Sequence, residues 1–437
     1  AHKVLSYNLP AVAYLDSSLD NNVFSETFQI HGSAYGPNFN SYTLEIGSGV
    51  YPSTFTVITT SNTPVINGLL GTLNAQSFPN GKYTLRLTVQ NNLGEIYRDS
   101  TIIRRISCAI PYVGLVITNN TLLCPITFST HIIIGANNII LDCNGAILNG
   151  NPSLPGITAS NKNNITIKNC ELRNLNPGMD LLVTNSILEN NRFVNNSIGL
   201  RLFSIYGYGG STSSNNLLNS NTFLDNQIGF SAGININSVI MNNLFINNNF
   251  ISNAVQVQFI NSSSQNIWSL PGTGGNYWSN YVGLDNNLDS FGDTPYILNF
   301  NNIDSLPLIH PKFLSIEGTA NMGGSFKLKI NDPLDSNKAY LILAAHSNTP
   351  PIQLPDGRYV YLTFDQLLDF TLQNPNSAYF ENTLGNLDSY GKATATIIIP
   401  NNPVLTSLPL YFAFVSIDPS LPIGIGTISH TVKTNII

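Results

Sequence analysis

Apolar and polar residues alternate with a period of two along most of the chain, and one stretch of this pattern occurs three times. The copies are 185–200 (NSILENNRFVNNSIGL), 215–230 (NNLLNSNTFLDNQIGF) and 237–252 (NSVIMNNLFINNNFIS). Their alignment makes four columns: Ile187, Leu217 and Val239; Asn191, Asn221 and Asn243; Phe193, Phe223 and Phe245; Asn195, Asp225 and Asn247. Self-similarity at such a spacing indicates a stack of repeated units. The first two copies lie 30 residues apart and the last two 22, which makes 204–211 (SIYGYGGS) an inserted loop.

The repeat predicts short strands joined at corners rather than helices. Period-two alternation is typical of β-strands, and Asn at a bend tolerates a left-handed backbone and bonds nearby peptide groups. Short strands with an Asn at each corner and one inward apolar side chain describe a right-handed parallel β-helix. We expect the column of Phe193, Phe223 and Phe245 to fill its interior, and the Asn columns to pair amides between coils.

The regions on both sides of the repeats also alternate but do not repeat. Runs such as 81–94 (GKYTLRLTVQNNLG) and 392–400 (KATATIIIP) are strand-like, with Gly, Pro and Asn between them. About seven short strands in roughly 100 residues favour a β-sandwich of immunoglobulin or fibronectin type. The predicted fold is therefore all-β, with a sandwich at 1–106, the β-helix and its closing cap at 107–310, and a second sandwich at 311–437. One helix is predicted, at 363–372.

Composition narrows the class of protein. Charged residues make up 10% of the chain, against roughly 25% in typical soluble proteins. The net charge of −6 offers no basic surface for nucleic acid, and no run approaches the ~18 apolar residues of a membrane span. The sequence starts at Ala1 without an apolar leader, which is typical of a secreted protein after signal-peptide removal. We expect an extracellular or cell-surface location.

The four cysteines suit an oxidising compartment. Cys108 and Cys124 precede the first coils and are predicted to form a disulfide that closes the cap of the β-helix. Cys143 and Cys170 lie 27 residues apart, close to one coil, and are either a second disulfide or two buried thiols. No C-x-x-C pair supports structural zinc. The N-x-S/T sequons that are glycosylation candidates are Asn119, Asn164, Asn195 and Asn261.

Several of these motifs together resemble a known family. They are LDCNGAI (141–147), NNITIKNC (163–170), GGNYWSNYVGLDNNLDSFGDTPYIL (274–298) and the N-x-D-x-x-P-L of 302–308. The stretch from about 115 to 310 is similar to the β-helix family of carbohydrate-binding proteins and sugar hydrolases, in the branch of the periplasmic accessory protein of nitrous-oxide-reductase maturation. The flanking regions resemble sandwich modules of bacterial and archaeal surface proteins. The family is functionally diverse, so the resemblance implies fold and location more than activity.

The closing run has the oxygen spacing of a calcium loop. The predicted ligands are the side chains of Asp285, Asn287, Asp289 and Asp293 and the backbone carbonyl of Phe291. Two positions depart from the pattern, because Ser290 replaces the turn Gly and Tyr296 replaces the bidentate Glu. We predict a structural Ca²⁺ here, and the alternative is an Asx-rich turn without metal.

Candidate catalytic groups are few. Glu189 and Asp225 are the carboxylates that neighbouring coils would bring together for hydrolysis or elimination. Isolated charges on a coil are more often its solvated face, and the chain is predicted not to be an enzyme. The six histidines are scattered and there are three methionines, which gives a copper site little support.

These features favour an extracellular structural protein that assembles with copies of itself into a filament, sheath or layer. A terminal segment would complete a neighbour's sheet, and the predicted assembly residues are Lys3, Val4, Leu5, Tyr7, Leu9, Val12 and Tyr14. The alternative interpretation of this segment is an edge strand of the same domain, and 426–437 is the other candidate segment. The alternative function is a glycan-binding adhesin that uses a long face of the β-helix; a polysaccharide lyase or hydrolase comes third. The sugar-stacking platform of the adhesin would be Tyr206, Tyr208, Tyr277, Trp278 and Tyr281. The alternative is that these aromatic residues only cover the open core of the β-helix.

Overall fold

The computed structural model describes residues 11–16, 19–20, 22–24, 27–105, 107–150, 153–205 and 211–437. The chain divides into two compact units, Ala1–Ile110 and Pro111–Ile437. Strands dominate both units, which confirms the predicted all-β class. In the described ranges, no helix has the length and apolar character needed to cross a membrane.

The first unit is built from two β-sheets that share one core. Its strands are β1 (Val12–Leu15), β2 (Val23–Phe24), β3 (Thr27–Tyr35), β4 (Phe39–Ser48), β5 (Thr56–Ser61), β6 (Val65–Asn74), β7 (Gly81–Asn91) and β8 (Ile96–Arg105). One sheet has the order β1-β3-β6 and the other β2-β8-β7-β4-β5. Alternate residues of the central strands point between the sheets, so Leu44, Leu85 and Leu87 are fully buried. This is a sandwich arrangement.

The second unit begins with a β-helix made of three parallel sheets, and each coil contributes one strand to each sheet. The strands are β9 (Leu115–Ile117), β10 (Thr121–Leu122), β11 (Thr127–Phe128), β12 (Ile132–Ile134), β13 (Ile140–Asp142), β14 (Ile147–Asn149), β15 (Ile157–Asn163), β16 (Thr166–Lys168), β17 (Glu171–Arg173), β18 (Met179–Thr184), β19 (Ile187–Glu189), β20 (Arg192–Val194), β21 (Ile198–Leu202), β22 (Leu217–Asn219), β23 (Thr222–Leu224), β24 (Ile228–Ala232), β25 (Met241–Ile246), β26 (Asn249–Ile251), β27 (Val255–Phe259), β28 (Gln265–Ile267) and β29 (Tyr277–Trp278).

Among the described residues each of the three sheets has seven strands. Sheet A runs from β10 to β28, sheet B from β11 to β29 and sheet C from β9 to β27, each taking every third strand of the chain. All neighbours pair in parallel, as in β12 with β15 and β20 with β23. The predicted β-helix is confirmed.

Stacked aromatic rings fill the interior of the later coils. The ring centroids of Phe193 and Phe223 are 4.8 Å apart, those of Phe223 and Phe250 are 4.7 Å apart, and Trp278 follows Phe250 at 4.4 Å. The expected third member, Phe245, is not in this column. It pairs with Leu218 in sheet A and stacks on Trp268 at 4.1 Å.

Buried Asn side chains connect the coils at the corner between sheets A and B. The Nδ2 of Asn191 donates to the Oδ1 of Asn221 at 3.0 Å, Asn221 donates to Asn248 at 3.0 Å, and Asn248 donates to Asn276 at 2.8 Å. We call this row the first amide ladder. Each Oδ1 also accepts the backbone N–H of the preceding ladder residue, and each Nδ2 also donates to a backbone carbonyl. The amides are thus fully bonded, as burial requires.

Two further corners have the same construction. Asn216, Asn243 and Asn266 form a second amide ladder that ends on Asn302, and Asn196, Asn226 and Asn253 form a third. The residue before most ladder Asn residues has a left-handed backbone, for example Asn190 with φ 54° and Asn247 with φ 58°; the exceptions are Gln265 and Gly275, before Asn266 and Asn276 at the cap end. The Asn-Asn pairs of the repeat are therefore explained: the first residue turns the chain and the second bonds the coils.

The predicted alignment of the third repeat is wrong by five residues. Asn243 bonds to Asn216, not to Asn221, and Asn248 takes the place next to Asn221. The third copy is therefore 242–257, which lies 27 residues after 215–230. The error arises because corners recur every five residues within a coil, so a shift of five still superimposes Asn on Asn.

In the first coils a disulfide takes the position of the ladder. Cys143 and Cys170 are bonded, which resolves the two alternatives for this pair. The backbone N–H of Cys170 donates to the Oδ1 of Asn191 at 3.1 Å, so the disulfide is directly followed by the first amide ladder. Neither Cys108 nor Cys124 is free.

A cap and a second two-sheet region complete the unit. The strands are β30 (Tyr296–Asn299), β31 (Asn302–Asp304), β32 (Leu314–Glu317), β33 (Ser325–Asn331), β34 (Ala339–Ala345), β35 (Ile352–Gln353), β36 (Tyr359–Val360), β37 (Phe380–Glu381), β38 (Leu384–Asn386), β39 (Lys392–Ile398), β40 (Pro409–Ile417), β41 (Ile425–Ile428) and β42 (Val432–Asn435). The predicted helix is present as α1 (Gln366–Gln373), and the side chain of Asp365 caps its first turn.

The C-terminal sandwich packs on the outer face of sheet B. Its sheets have the orders β32-β33-β39-β37 and β38-β34-β40-β41, with β42 on β40. Leu224 and Ile251 of sheet B belong to the same buried cluster as its core residues Phe326 and Phe412. Sheet B is thus covered, whereas sheets A and C keep solvent-exposed positions.

Candidate functional site

The outer faces of the three sheets differ in chemistry. Sheet C carries a polar column of Thr158, Asp180, Arg201, Ser231 and Gln258. The matching column of sheet A is mostly aliphatic, with Ile140, Thr166, Ile187, Leu217, Leu244 and Ile267. Sheet B is covered by the sandwich. Sheet A also has a polar outer column, of Asp142, Lys168, Glu189 and Asn219, so both sheets A and C offer hydrogen-bonding groups to a polar ligand.

One end of sheet C opens into a cavity of about 420 Å³ beneath the cap hairpin of β30 and β31. We call it the cap cavity. Its volume lies within the ~300–1,000 Å³ of small-molecule sites. It is lined by Ser252, Asn253, Ala254, Gln256, Val257, Ser279, Asn280, Tyr296, Ile297 and Leu298. Because none of these residues carries a charge at neutral pH, the cavity offers only neutral hydrogen bonding and apolar contact.

The interior aromatic stack ends inside this cavity. The ring of Tyr296 lies 4.4 Å from that of Trp278 and is nearly parallel to it, at 13°. Tyr296 thus continues the row of Phe250 and Trp278 out of the core and reaches the cavity lining. Burial raises the pKa of its hydroxyl, which stays protonated and donates to the Oδ1 of Asn280 at 3.1 Å.

The amides of the cap cavity hold one another in place. The Nε2 of Gln256 donates to the Oγ of Ser279 and the Oδ1 of Asn280, both at 3.3 Å. The Oε1 of Gln256 accepts from the Nδ2 of Asn253 at 2.8 Å. Bonds of 3.3 Å are long, so a ligand hydroxyl can replace them at small cost. Sequence reasoning missed Gln256, which belongs to no motif, and considered Tyr296 only as a departure from the calcium-loop pattern.

The aromatic residues predicted to stack on sugars are mostly used otherwise. Trp278 is 1% exposed and belongs to the core, as the alternative interpretation had it. The Tyr281 hydroxyl donates to the carbonyl of Thr294 at 2.6 Å and fixes the cap loop. Tyr206 and Tyr208 lie outside the described residues.

The predicted calcium loop turns its oxygens onto its own backbone. Asp285 accepts from the amides of Asp289 and Ser290 at 3.1 and 2.8 Å, and Asn287 also accepts from Asp289 at 3.0 Å. The remaining bonds are from the amide of Phe291 to Asp289 and from the amide of Asn286 to Asp293. This is an Asx-rich turn, and calcium binding to it stays a prediction.

The loop also connects the cap to the C-terminal sandwich. The hydroxyl of Tyr361 donates to the Oδ2 of Asp285, and the ring of Phe291 lies 6.0 Å from that of His430. Within the described ranges, no group of three or more His, Cys, Asp or Glu side chains is placed to hold a metal ion.

The two candidate catalytic carboxylates are not brought together. Glu189 lies on the outer face of sheet A, where its strand partner is Asn219, and it is 4.0 Å from the ammonium of Lys168. Asp225 occupies a corner between sheets B and C, with a φ of 55°. The two residues therefore cannot act as an acid–base pair.

The predicted glycosylation residues lie at coil corners and loops. Asn119, Asn164 and Asn195 are exposed, and Asn261 is half-buried. The amide of Asn195 donates to Asn174 at 2.7 Å, and that of Asn261 donates to the carbonyl of Ile236 at 2.6 Å. Glycosylation at these residues stays a prediction.

The predicted assembly segment is described only in part. Lys3, Val4, Leu5, Tyr7 and Leu9 lie outside the described residues. Val12 and Tyr14 belong to β1, which pairs with β3 of the same unit, Val12 opposite Tyr35 and Tyr14 opposite Ser33. At the other end of the chain, β41 and β42 both pair with β40. The described terminal strands are thus edge strands within the chain's own domains.

Residues 206–283 match the family model of the periplasmic copper-binding protein NosD. This segment is NosD-like. The resemblance predicted from the coils and the closing run is therefore confirmed for it. The periplasmic description of the family agrees with the expected location outside the cytoplasm.

Two relatives carry the name probable ABC transporter binding protein NosD. The protein from Stutzerimonas stutzeri is 36% identical over 138 residues, which are 31% of this chain and 23% of that protein. The protein from Pseudomonas aeruginosa is 36% identical over 97 residues, or 22% of this chain and 21% of that protein. The chain thus spans less than a quarter of the length of these relatives.

A solved structure of low similarity is the pectate lyase PelI from Erwinia chrysanthemi in complex with tetragalacturonic acid. It covers 61% of this chain and 84% of its own, at 10% identity and a TM-score of 0.20. Similarity at this level carries no argument about activity.

The copper in the family description does not fit the matched segment. Copper sites use imidazole, thiolate and thioether ligands. Residues 206–283 contain no His and no Cys, and their one Met is Met241. The neutral amides that dominate the segment are poor copper ligands, so no function proposed below uses a metal.

Proposed function

We propose that this chain is a non-enzymatic binding protein outside the cytoplasm, which holds an extended glycan along sheet C with one uncharged sugar in the cap cavity. The observation that carries the proposal is the cap cavity itself. It combines a ring face of Tyr296, reached by the aromatic stack, with the amides of Gln256 and Asn280. A sugar presents the complementary surface, since its ring is apolar on one face and hydroxylated at the edge.

Two other facts support a binding role. The relatives from Stutzerimonas stutzeri and Pseudomonas aeruginosa are named as binding proteins. The parallel strands of sheet C also repeat the same outward position every ~4.8 Å. A polymer laid across the strands therefore meets the polar side chains of Thr158, Asp180, Arg201 and Gln258, with the buried Ser231 between the last two. The proposal includes no catalytic step, because Glu189 and Asp225 lie apart.

The test is a glycan array of neutral and acidic oligosaccharides, followed by calorimetric titration of the ligand retained best. Gln256→Ala and Tyr296→Ala are each expected to raise Kd at least tenfold, which is about 1.4 kcal/mol. Lys168→Ala on sheet A is the matched control and should bind as the unmodified protein does. Retention of no glycan, or unchanged Kd in both cavity variants, would contradict the proposal. Circular dichroism of each variant verifies that the β-helix is folded.

The second candidate function is a self-assembling structural subunit. One observation favours it: the aliphatic column of sheet A is partly exposed, with Ile140 at 41% and Ile267 at 48%. Negative-stain microscopy of the full chain, of a variant lacking residues 1–14 and of Leu217→Asp tests it. Regular filaments that Leu217→Asp abolishes would support assembly through sheet A, and loss only on truncation would support exchange of the N-terminal strand. Dispersed particles at high concentration would exclude both.

A further inference from the structure

A second cavity, of about 280 Å³, lies on the outer face of sheet C, several coils away from the cap. We call it the coil cavity. It is lined by Ile133, Ile134, Gly135, Thr158, Ala159, Ser160, Lys162, Asp180 and Phe203. Unlike the cap cavity, it contains ionisable groups.

A β-bulge places one of these groups. Along β15, Ala159 pairs with Leu181 and the next pair is Lys162 with Val183, so two residues of β15 lie opposite one residue of β18. Asn161 within the bulge has a left-handed backbone, with φ 53°, and its Oδ1 accepts from the Oγ of Ser211 at 3.0 Å. Bulges bend a strand and redirect its side chains, and they are frequent beside functional sites. This bulge brings Lys162 into the lining of the coil cavity.

The charges around the coil cavity leave Lys162 as the cation that can bind a ligand. The carboxylate of Asp180 is engaged by Arg201, with Nε to Oδ1 at 2.9 Å and Nη2 to Oδ2 at 2.5 Å. The imidazole of His131 bonds to the hydroxyl of Thr158 at 2.8 Å, and burial lowers its pKa, so it is neutral at pH 7. Within the described ranges Lys162 has no carboxylate within ion-pair distance.

We propose that the coil cavity binds a single carboxylate of the extended ligand, through the ammonium of Lys162 and the hydroxyl of Ser160. The ligand is then an acidic glycan, with a uronate in the coil cavity and an uncharged sugar in the cap cavity. The inference rests on the proposed function. One unpaired cation matches a monoanion, and the apolar walls of Ile133, Ile134 and Phe203 strengthen the attraction because they exclude water.

The fold sets the distance between the two subsites. Four inter-strand steps separate β15 from β27 in sheet C. At ~4.8 Å a step, the subsites are roughly 19 Å apart. A ligand must therefore be an oligosaccharide of several residues to occupy both cavities, whereas a disaccharide can occupy only one.

The experiment compares a hexasaccharide that contains uronate residues with the same oligosaccharide after reduction of its carboxyl groups to alcohols. A charge-assisted hydrogen bond corresponds to a roughly ten- to hundredfold preference for the acidic form. Lys162→Met should remove this preference, so that the acidic and the reduced form bind this variant with the same Kd. Lys168→Met, which removes a lysine of sheet A, should keep it. The acidic disaccharide should bind at least tenfold more weakly than the acidic hexasaccharide.

The outcomes separate the inference from the proposed function. If the reduced hexasaccharide binds but the acidic form has no advantage, or the advantage survives Lys162→Met, the carboxylate subsite is wrong and the glycan-binding function stands. If the acidic disaccharide binds as tightly as the hexasaccharide, the two cavities do not share one ligand. If neither hexasaccharide binds, the proposed function fails together with the inference.

Discussion

The early and the late coils hold the same corner of the β-helix together by different chemistry. In the early coils Cys143 and Cys170 form a disulfide, and in the late coils Asn191, Asn221 and Asn248 form the first amide ladder. A disulfide joins two coils and stabilises mainly by restricting the unfolded chain. An amide in the ladder bonds the coils on both sides, and its loss leaves buried groups unpaired in each. The ladder should therefore be the more sensitive of the two devices.

Removing one amide from the ladder is the strongest test of this comparison. Asn221→Ala removes the acceptor of two N–H groups of Asn191 and the side-chain donor to the carbonyl of Leu188, and the Oδ1 of Asn248 keeps only its bond from the backbone of residue 221. At about 1–3 kcal/mol for each buried unpaired group, we expect the free energy of unfolding to fall by about 5 kcal/mol. Urea denaturation followed by circular dichroism measures the change.

The control for this variant is Asn219→Ala, two residues away. Asn219 accepts from the Nδ2 of Asn247 at 3.0 Å on the outside of the coil, where water can replace the bond. The expected loss is below about 1 kcal/mol. Equal losses in the two variants would mean that the buried ladder has no special importance.

Removing the disulfide should lower the free energy of unfolding less than Asn221→Ala does. Cys143→Ser with Cys170→Ser opens a loop with a sequence separation of 27. The loop-entropy relation gives about 3.5 kcal/mol for this length. Urea denaturation of the double variant at the same pH is the measurement. A loss larger than that of Asn221→Ala would reverse the order expected for the two devices.

Asp304, at the far end of the first amide ladder, makes the stability of the fold depend on pH. The Oδ2 of Asp304 accepts from the backbone of Asn276 at 2.8 Å and from the indole of Trp278 at 2.9 Å. Burial raises the pKa of Asp304 to about 6 from its usual 3.8. The folded chain therefore binds more protons than the unfolded chain between these values, and stability falls as pH rises through this window.

The size of this effect follows from the shift. A difference of about two pKa units corresponds to about 2 to 3 kcal/mol lost between pH 4 and pH 7. Asp304→Asn should flatten the profile, because an amide does not titrate. Unfolding free energies of both proteins at pH 4, 5, 6 and 7 provide the comparison. A slope that survives in Asp304→Asn would assign the effect to another group, of which Asp332 is the first candidate, since burial raises its pKa to about 6 as well.

The sequence was sufficient to predict the β-helix but not its register. Pairs such as Asn190 and Asn191 mark corners, because a left-handed turn followed by a buried amide has few other uses. The alignment failed at Asn243 because the corners of one coil are five residues apart and look alike. Matching the pair 242–243 to 215–216 would have given the right spacing of 27. The signal lay in consecutive Asn pairs, not in single Asn or Phe residues.

The candidate site was less predictable because it depends on register and on a bulge. Trp278 was a candidate platform, yet the stack buries it and brings Tyr296 to the surface. Gln256 and Lys162 carry no local signal, since each is a single polar residue in a strand. Lys162 gains its position from one extra residue in β15, which alternation alone does not reveal. Chemistry on a β-helix is assembled from separate coils, so an accurate stacking register must come first.

The smallest expected effect tests whether the ladder can be extended into the early coils. Both variants compared here carry Cys143→Ser. With Cys170→Asn as the second substitution, the free energy of unfolding should be about 1 kcal/mol higher than with Cys170→Ser. Asn169 already has the left-handed φ of 57° that precedes a ladder residue, and the Oδ1 of Asn191 already accepts from the backbone of residue 170. The reverse pair, Cys143→Asn with Cys170→Ser, should restore nothing. At that corner the left-handed residue is Asn144, which follows the cysteine instead of preceding it. Equal recovery in both variants would show that a buried amide suffices, and that the turn before it does not orient the ladder.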